Sequence, residues 1–296
     1  MNRTVSDIGE MGVIRLFKTL FPKGKHILES YDDAWSFRSR EYYITVSSDM
    51  LVARTDVPPL MTIKQAARKA IIMGASDIAS KGHRPHFYFL SLGLRRKMKL
   101  SALHQAMRGI RMGISENGGQ LVGGDTNEAD DFIVNVTTVG LGKNRPVPRK
   151  FGKIRDIIAT TGRFGGPPAG LSVLLGRARK PSKGWQKILD SLLMPRAQVL
   201  AGTLLAEAYV LSGSTDSSDG LSTSLYNMSV NSKCGALIGE IPLFEGIEEF
   251  AALNRLSSVD LAFNGGEEYH LVLSIKRDRW EDALRISKRN GFDLFR

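Results

Sequence analysis

Apolar and polar positions along this 296-residue chain switch repeatedly between a helical and an extended period. Residues 7–20 place apolar side chains at helical spacing, which predicts a short amphipathic helix. EYYITVSSDML (41–51) alternates instead and predicts a strand ending near Asp49. VARTDVPP (52–59) reads as a turn, because two prolines stop a strand. Thr62 and Gln65 have capping-box spacing and open an Ala- and Ile-rich helix over about 62–81, closed by Lys81-Gly82. Next come a strand in PHFYFLSLGL (85–94), a helix over 101–116, a glycine-rich turn NGGQLVGGDTNEAD (117–130) and a strand in FIVNVTTVGLG (132–142).

The basic segment KNRPVPRKFGK (143–153) reads as a linker. Beyond it the pattern predicts a strand in IRDIIATTG (154–162), a turn at RFGGPP, a helix starting in AGLSVLL and a helix over 195–209. TDSSDG (215–220), a helix near 220–231, a strand in GALIGEI (235–241), a short helix near 245–253 and a turn at AFNGGEE follow. A strand in YHLVLSI (269–275), a helix over 278–290 and a last strand in FDLFR complete the reading. Strands alternating with helices, and strands that read as buried, predict an α/β or α+β fold. The length predicts two domains, 1–145 and 146–296, with the C-terminal tail expected to continue beyond this sequence.

Composition narrows the class. With 42% hydrophobic and 24% charged residues, a disordered or fibrous chain is excluded. No apolar run approaches the roughly 18–20 residues that span a bilayer, so no membrane association is expected. MNRTVSDIGE lacks the apolar stretch of a secretory signal. Cys234 is the only cysteine, which excludes an intramolecular disulfide, a cysteine-based zinc site and an iron–sulfur cluster; a reducing cytoplasm is the expected setting. The net charge is +11, and residues 143–196 hold thirteen Lys or Arg against two Asp, an excess equal to that of the whole chain. Such a segment fits a solvated face, a site for small phosphorylated ligands or a nucleic-acid surface.

Several chemistries lack their residues. There is no G-x-x-x-x-G-K-[ST] loop, no H-E-x-x-H and no G-x-S-x-G, and the five histidines show no zinc spacing. What recurs is carboxylates among small residues: Asp32-Asp33, Ser47-Ser48-Asp49, Ser76-Asp77, Gly123-Gly124-Asp125-Thr126, Asp216-Ser217-Ser218-Asp219-Gly220 and Gly265-Gly266-Glu267-Glu268. Hard cations such as Mg²⁺ take oxygen ligands and need room for water and phosphate, which small neighbours leave. Each motif taken singly also fits a turn, a strand end or a helix cap. Asp77 also fits a helix-surface charge, although a carboxylate near a helix C-terminus opposes the helix dipole, a hint of function.

The order DD, SSDML, SDIASKG, VGGDTNE, DSSDGL and NGGEEYHLV, collinear over about residues 7–290, resembles the thiamine-monophosphate kinases, especially their archaeal form. That family belongs to the superfamily of aminoimidazole ribonucleotide synthetase. The resemblance implies an N-terminal α/β domain whose mixed sheet joins a twofold mate in a barrel-like homodimer core, a C-terminal α/β domain, and nucleotide bound between them. It implies several Mg²⁺ ions, with ATP and thiamine monophosphate as substrates. Asp33, Asp49, Asp77, Asp125 and Asp216 match metal ligands, Ser47 and Ser48 assist them, and Asp219 matches a ligand of a nucleotide-associated metal. Gly124, Asp125, Arg149 and Ser218 match nucleotide-contacting positions, while Asp56 and Glu267 match substrate-contacting ones.

Three departures stand out: Tyr31 replaces the usual Gly before the acidic pair, Pro167-Pro168 occupy a usually small or polar turn, and the sequence ends at GFDLFR without the Gly-aromatic-Asp-His-Phe segment that often finishes family members; separately, Asp56 stands where bacterial members usually carry His. The implied reaction is in-line phosphoryl transfer needing no general base. Two other readings stay open: a different ATP-using enzyme of the superfamily, of the aminoimidazole ribonucleotide synthetase type, and a non-catalytic basic module that binds RNA. Retention of every Asp position makes nucleic acid the less expected partner.

Overall fold

A computed structural model describes residues 4–21, 27–28 and 32–296. Tyr31 and most of the HILES segment lie outside the described residues. After helix α1 (Val5–Leu20) the chain builds a five-stranded sheet from β1 (Trp35–Ser39), β2 (Tyr42–Val52), β3 (Arg84–Leu94), β4 (Gln120–Glu128) and β5 (Ile133–Gly142). Their spatial order is β1-β2-β5-β3-β4. All neighbours are antiparallel except β3 and β4, so the sheet is mixed as expected. A second sheet holds β6 (Ile157–Thr160), β8 (Leu271–Ile275) and β7 (Leu211–Asp216), in that order and antiparallel. β8 is buried along its whole length.

Helix α3 (Ile63–Ser80) sits between the sheets and organises the molecule. The predicted capping box forms: Thr62 accepts from the Gln65 N–H, and Gln65 accepts from the Thr62 N–H at 2.9 Å. One flank of α3 meets α4 (Leu100–Asn117); the other meets α7 (Val199–Glu207) and β7. On α7, Gly202 lies so near α3 that a Cβ would come within 2.2 Å of the Ala79 carbonyl oxygen. Burial on every side explains why α3 is Ala-rich: small side chains let several elements approach one axis.

The largest core joins Leu51, Ile71, Tyr88, Phe132, Val134 and Val136 to Leu192 and Leu193 of α6 (Trp185–Leu193). The second half of the chain thus contributes to the core of the first.

Four local expectations are corrected. The glycine-rich segment 117–130 is not a turn: residues 120–128 form β4, paired in parallel with β3 across the α4 crossover. Its glycines serve close approach, since a Cβ on Gly124 would fall 1.8 Å from the Leu90 carbonyl oxygen. β2 runs on through Asp49 to Val52, and residues 53–56 form a single helical turn, α2. GALIGEI forms no strand; Leu237 projects into solvent, and the nearest pairing is an isolated bridge from Leu243 to Phe164. Residues 195–209 are not one helix, because Arg68 binds the Pro195 carbonyl at 2.8 Å and helix starts only at Val199.

β1, β7 and α6 are additional elements. FDLFR contributes an isolated antiparallel bridge, Phe295 to Thr160, rather than a full strand. Helices α5 (Gly166–Leu174), α8 (Leu221–Ser232), α9 (Ile247–Asn254), α10 (Ser258–Asn264) and α11 (Trp280–Asn290) complete the described fold. Among the described residues no helix is long and apolar enough to cross a membrane.

Candidate active site

The acidic motifs meet where α3 passes between the two sheets. Alternation along β2 turns Ser47 and Asp49 toward α3, and Asp77 lies near the end of α3. The Ser47 hydroxyl bridges them, 2.8 Å from Asp49 Oδ2 and 2.6 Å from Asp77 Oδ2. Ser76 reaches the other way and donates to Asp216 Oδ2 at 2.7 Å, tying α3 to the end of β7. Asp32 and Asp33 precede β1; Ser80, Lys81, Arg149 and Thr215 all contact Asp33. Four carboxylates from four chain segments thus face one cleft.

Burial and neighbouring charges set their electrostatics. Burial pushes Asp77 well above the usual carboxylate range, and the charges of Asp49, Asp216 and Asp33 push it further. Asp216 rises to about 7, first from burial and then from Asp33 and Asp49. Asp49 is also raised, mainly by burial. Burial alone would raise Asp33, but Lys81 and then Arg149 outweigh it and hold the group low. Lys81 partly offsets the rise at Asp216, and hydrogen bonds with Ser47 and Asp77 partly offset that at Asp49.

The donor set is all oxygen, which suits Mg²⁺. Among the described residues no group of three or more carboxylate, histidine or cysteine side chains is placed to hold a metal ion. An Mg²⁺ ion that keeps water and phosphate in its shell does not need one.

The remaining sequence-predicted residues are placed as follows. Ser48 is exposed on the opposite face of the sheet from Ser47 and Asp49, with its hydroxyl 3.1 Å from that of Thr137. Asp125 lies on β4 in the row Met50–Asn135–Ser91–Asp125, one step from the row Asp49–Val136–Leu90–Gly124. Successive rows face opposite sides, so within one chain Asp125 and Asp49 do not share a face. Asp219 is exposed at the entry to α8, and neither it nor Asp125 is drawn into the hydrogen bonds of the cluster. The Ser218 carbonyl accepts from the Glu267 N–H at 2.7 Å and shapes the Glu267 loop. Arg149 donates to Asp33 Oδ1 at 3.0 Å from its guanidinium and to Asp32 Oδ2 at 2.9 Å from its backbone. The Asp56 carboxylate accepts from the Val52 N–H at 2.7 Å.

Lys69 connects the two substrate-contacting expectations: its buried ammonium pairs with Glu267 and donates to the Asp56 carbonyl at 3.0 Å. Lys69, Ser76, Lys81 and Thr215 are absent from the sequence-derived site. Lys69, Ser76 and the C-cap Lys81 interrupt an Ala- and Ile-rich helix, which was the available signal for those three; Thr215 lies on β7.

Beside the cluster, buried Glu268 accepts from the Gly165 N–H at 2.6 Å, the residue that caps α5. Burial lifts its carboxyl to about 8, with the Gly165 hydrogen bond opposing. The His270 ring, 3.9 Å away, is lowered to about 4 by burial. A carboxyl raised on folding holds a proton that the unfolded chain releases, so this contribution falls as pH rises from the unfolded value to about 8. The lowered His270 acts oppositely, but only between about pH 4 and its ordinary value of 6.5. Urea unfolding at pH 6.5 and 8.5 should therefore show wild type losing stability relative to Glu268→Gln as pH rises, by an amount on the order of a kcal/mol or more. Equal slopes in the two proteins would contradict a buried, protonated Glu268.

The comparisons with known proteins fit this site. Residues 31–142 match the family model described as AIR synthase related protein, N-terminal domain. Thiamine-monophosphate kinase of Nitrosopumilus maritimus is 32% identical, across 96% of this chain and 88% of the relative. That of Pyrococcus abyssi is 33% identical, across 94% and 86%.

The chain belongs to the thiamine-monophosphate kinase family.

Solved structures share the fold of this chain. A Thermus thermophilus protein, tt0281, superposes with a TM-score of 0.86 at 24% identity, covering 99% of this chain and 94% of its own. A structure titled AaThiL complexed with AMPPCP and TMP also gives 0.86, at 21% identity and covering 100% and 91%.

Proposed function

We propose that the chain transfers the γ-phosphoryl group of ATP directly to the phosphate of thiamine monophosphate, giving ADP and thiamine diphosphate. The carrying observation is that Asp33, Asp49, Asp77 and Asp216, which match family metal ligands, are gathered around the end of α3 by the hydroxyls of Ser47, Ser76 and Ser80. Family membership narrows the reaction, and the relative described as complexed with AMPPCP and TMP supports the pair of ligands. The acceptor oxygen of a phosphomonoester is largely dianionic at neutral pH, since its second pKa is about 6, so no general base is required.

The barrier is bringing two polyanions together: each pair of unit charges at 4 Å repels by about 4 kcal/mol at an effective dielectric of 20. Asp49, Asp77 and Asp216, with Asp33, Asp125 and Asp219 as the further family-matched positions, would hold Mg²⁺, which would supply the positive charge that offsets this repulsion. The chain's own part is positioning. Ser47 orients Asp49 and Asp77, and Ser76 orients Asp216. Lys69 sets Glu267 beside Asp56 for the thiamine substrate, while Arg149 and the Gly124, Asp125 and Ser218 positions serve the nucleotide.

The proposal includes a homodimer. β4 is exposed at all nine positions and ends the five-stranded sheet. A long edge strand carrying half-exposed Leu121 and Val122 is a template for another chain, and a second copy covers it by a symmetric contact. Asp125 then joins the cleft of the partner copy, because its own chain turns it away from Asp49.

The deciding experiment incubates the protein with ATP, Mg²⁺ and thiamine monophosphate and resolves the products by chromatography. Thiamine diphosphate should accumulate in step with ADP. Turnover of an aminoimidazole-ribonucleotide precursor, with thiamine monophosphate untouched, would reassign the chain within its superfamily.

A further inference from the structure

The two ends of the acidic cleft differ in kind. At one end Asp49, Asp77 and Asp216 receive hydroxyl hydrogen bonds from Ser47 and Ser76, and Asp49 and Asp77 also bond to each other; among the described residues no cation is paired with them. At the other, Asp32 and Asp33 face two cations already built into the chain. Lys81 is the C-cap of α3, where positive charge is favoured by the helix dipole, and its side chain is fully buried. Its ammonium has three protons and three acceptors: Asp32 Oδ1, Asp33 Oδ2 at 2.8 Å and the Ser214 carbonyl at 3.2 Å. The Arg149 guanidinium adds a second charge on Asp33 Oδ1.

The acceptors at this end are also used up. A carboxylate offers about four lone-pair positions. Asp33 spends them on Lys81, Arg149, Ser80 at 3.1 Å and the Thr215 hydroxyl, which lies 3.0 and 2.9 Å from its two oxygens. Asp32 is engaged by Lys81, by the Arg149 N–H and by the Asp33 N–H at 2.8 Å. A divalent ion at Asp33 would have to displace a buried ammonium whose charge partners among the described residues are this pair alone, which is costly.

We propose that Lys81 is a resident cation that takes the place of a divalent ion at Asp33, so that Asp49, Asp77 and Asp216 form the metal-binding part of this cleft while Asp33 anchors Lys81 and Arg149. The inference rests on the reading of the cleft as a metal site and revises the family-matched role of Asp33. A tethered ammonium cannot be diluted or chelated away, so this end of the cleft stays neutralised without metal, and its bond to the Ser214 carbonyl keeps α3 joined to β7.

The test counts Mn²⁺ bound to metal-stripped full-length protein saturated with a non-hydrolysable ATP analogue, reading free Mn²⁺ by electron paramagnetic resonance against a nucleotide-only control. Wild type and Asp33→Asn should bind the same number per chain, Lys81→Met one more, and Asp77→Asn at least one fewer. Loss of an ion in Asp33→Asn, or an unchanged count in a folded Lys81→Met, overturns the proposal. Should Lys81→Met fail to fold, Asp33→Asn decides, because it keeps the lysine. A wild-type count no higher than that of the nucleotide alone instead removes the metal reading on which the inference stands.

Discussion

Mixing two inactive variants, Asp77→Asn and Asp125→Asn, is expected to restore activity. Asp77 lies in the cleft of its own chain, hydrogen-bonded to Ser47. Asp125 sits on the exposed edge strand and on the other face of the sheet from Asp49. If each cleft takes Asp125 from its partner, a mixed dimer holds one cleft with both native residues and one with neither. Each variant alone should lose at least about 100-fold in turnover, as removing a group that stabilises transition-state charge commonly does. Random mixing makes about half the dimers mixed, each with one working cleft, so about a quarter of wild-type activity should return. Unfolding and refolding the two variants together, followed by the chromatographic assay, measures this. No recovery despite proven subunit exchange would place Asp125 in its own chain's site or outside catalysis.

Asp77→Asn should also separate stability from activity. In the metal-free cleft Asp77 is raised by burial and by three neighbouring carboxylates, an unfavourable arrangement that folding must impose. The amide keeps the shape and removes the ionisable group. Its Tm in EDTA at neutral pH should rise by several degrees, which corresponds to about 1–3 kcal/mol for a domain of this size. Mg²⁺ with nucleotide should stabilise wild type strongly and the variant far less, because only the native cleft gains by binding. Thermal unfolding in EDTA and in Mg²⁺–nucleotide gives both readings. A lower Tm for Asp77→Asn in EDTA would mean that Asp77 is a structural acceptor and not a poised ligand.

The sites legible in the sequence were those whose chemistry is local. Thr62 and Gln65 announced the start of α3, and the alternation in EYYITVSSDML announced β2. The acidic motifs pointed to one shared site; the fold groups Asp33, Asp49, Asp77 and Asp216 and leaves Ser48, Asp125 and Asp219 outside that group. Illegible were features set by a neighbour far along the chain. The glycines of 117–130 favour turns when read alone, but β3 supplies a ladder that holds Gln120–Glu128 extended. Ser47 and Ser48 look equivalent as adjacent hydroxyls, yet the period of two in a strand sends only Ser47 to Asp77. Lys69 and Lys81 look like ordinary solvated charges until Glu267 and the Asp32–Asp33 pair are folded against them.

What the amino-acid order determined by itself was the supply of parts: carboxylates flanked by small residues, a helix with its cap, strands with their periods, and a family likeness carried by six motifs. What only the tertiary structure decided was which charges are shared. Desolvation and Coulomb coupling depend on distances between residues as far apart as Asp33 and Asp216, and nothing local encodes those distances. The same packing gives Asp33 two cations and, among the described residues, pairs none directly with Asp49, Asp77 or Asp216.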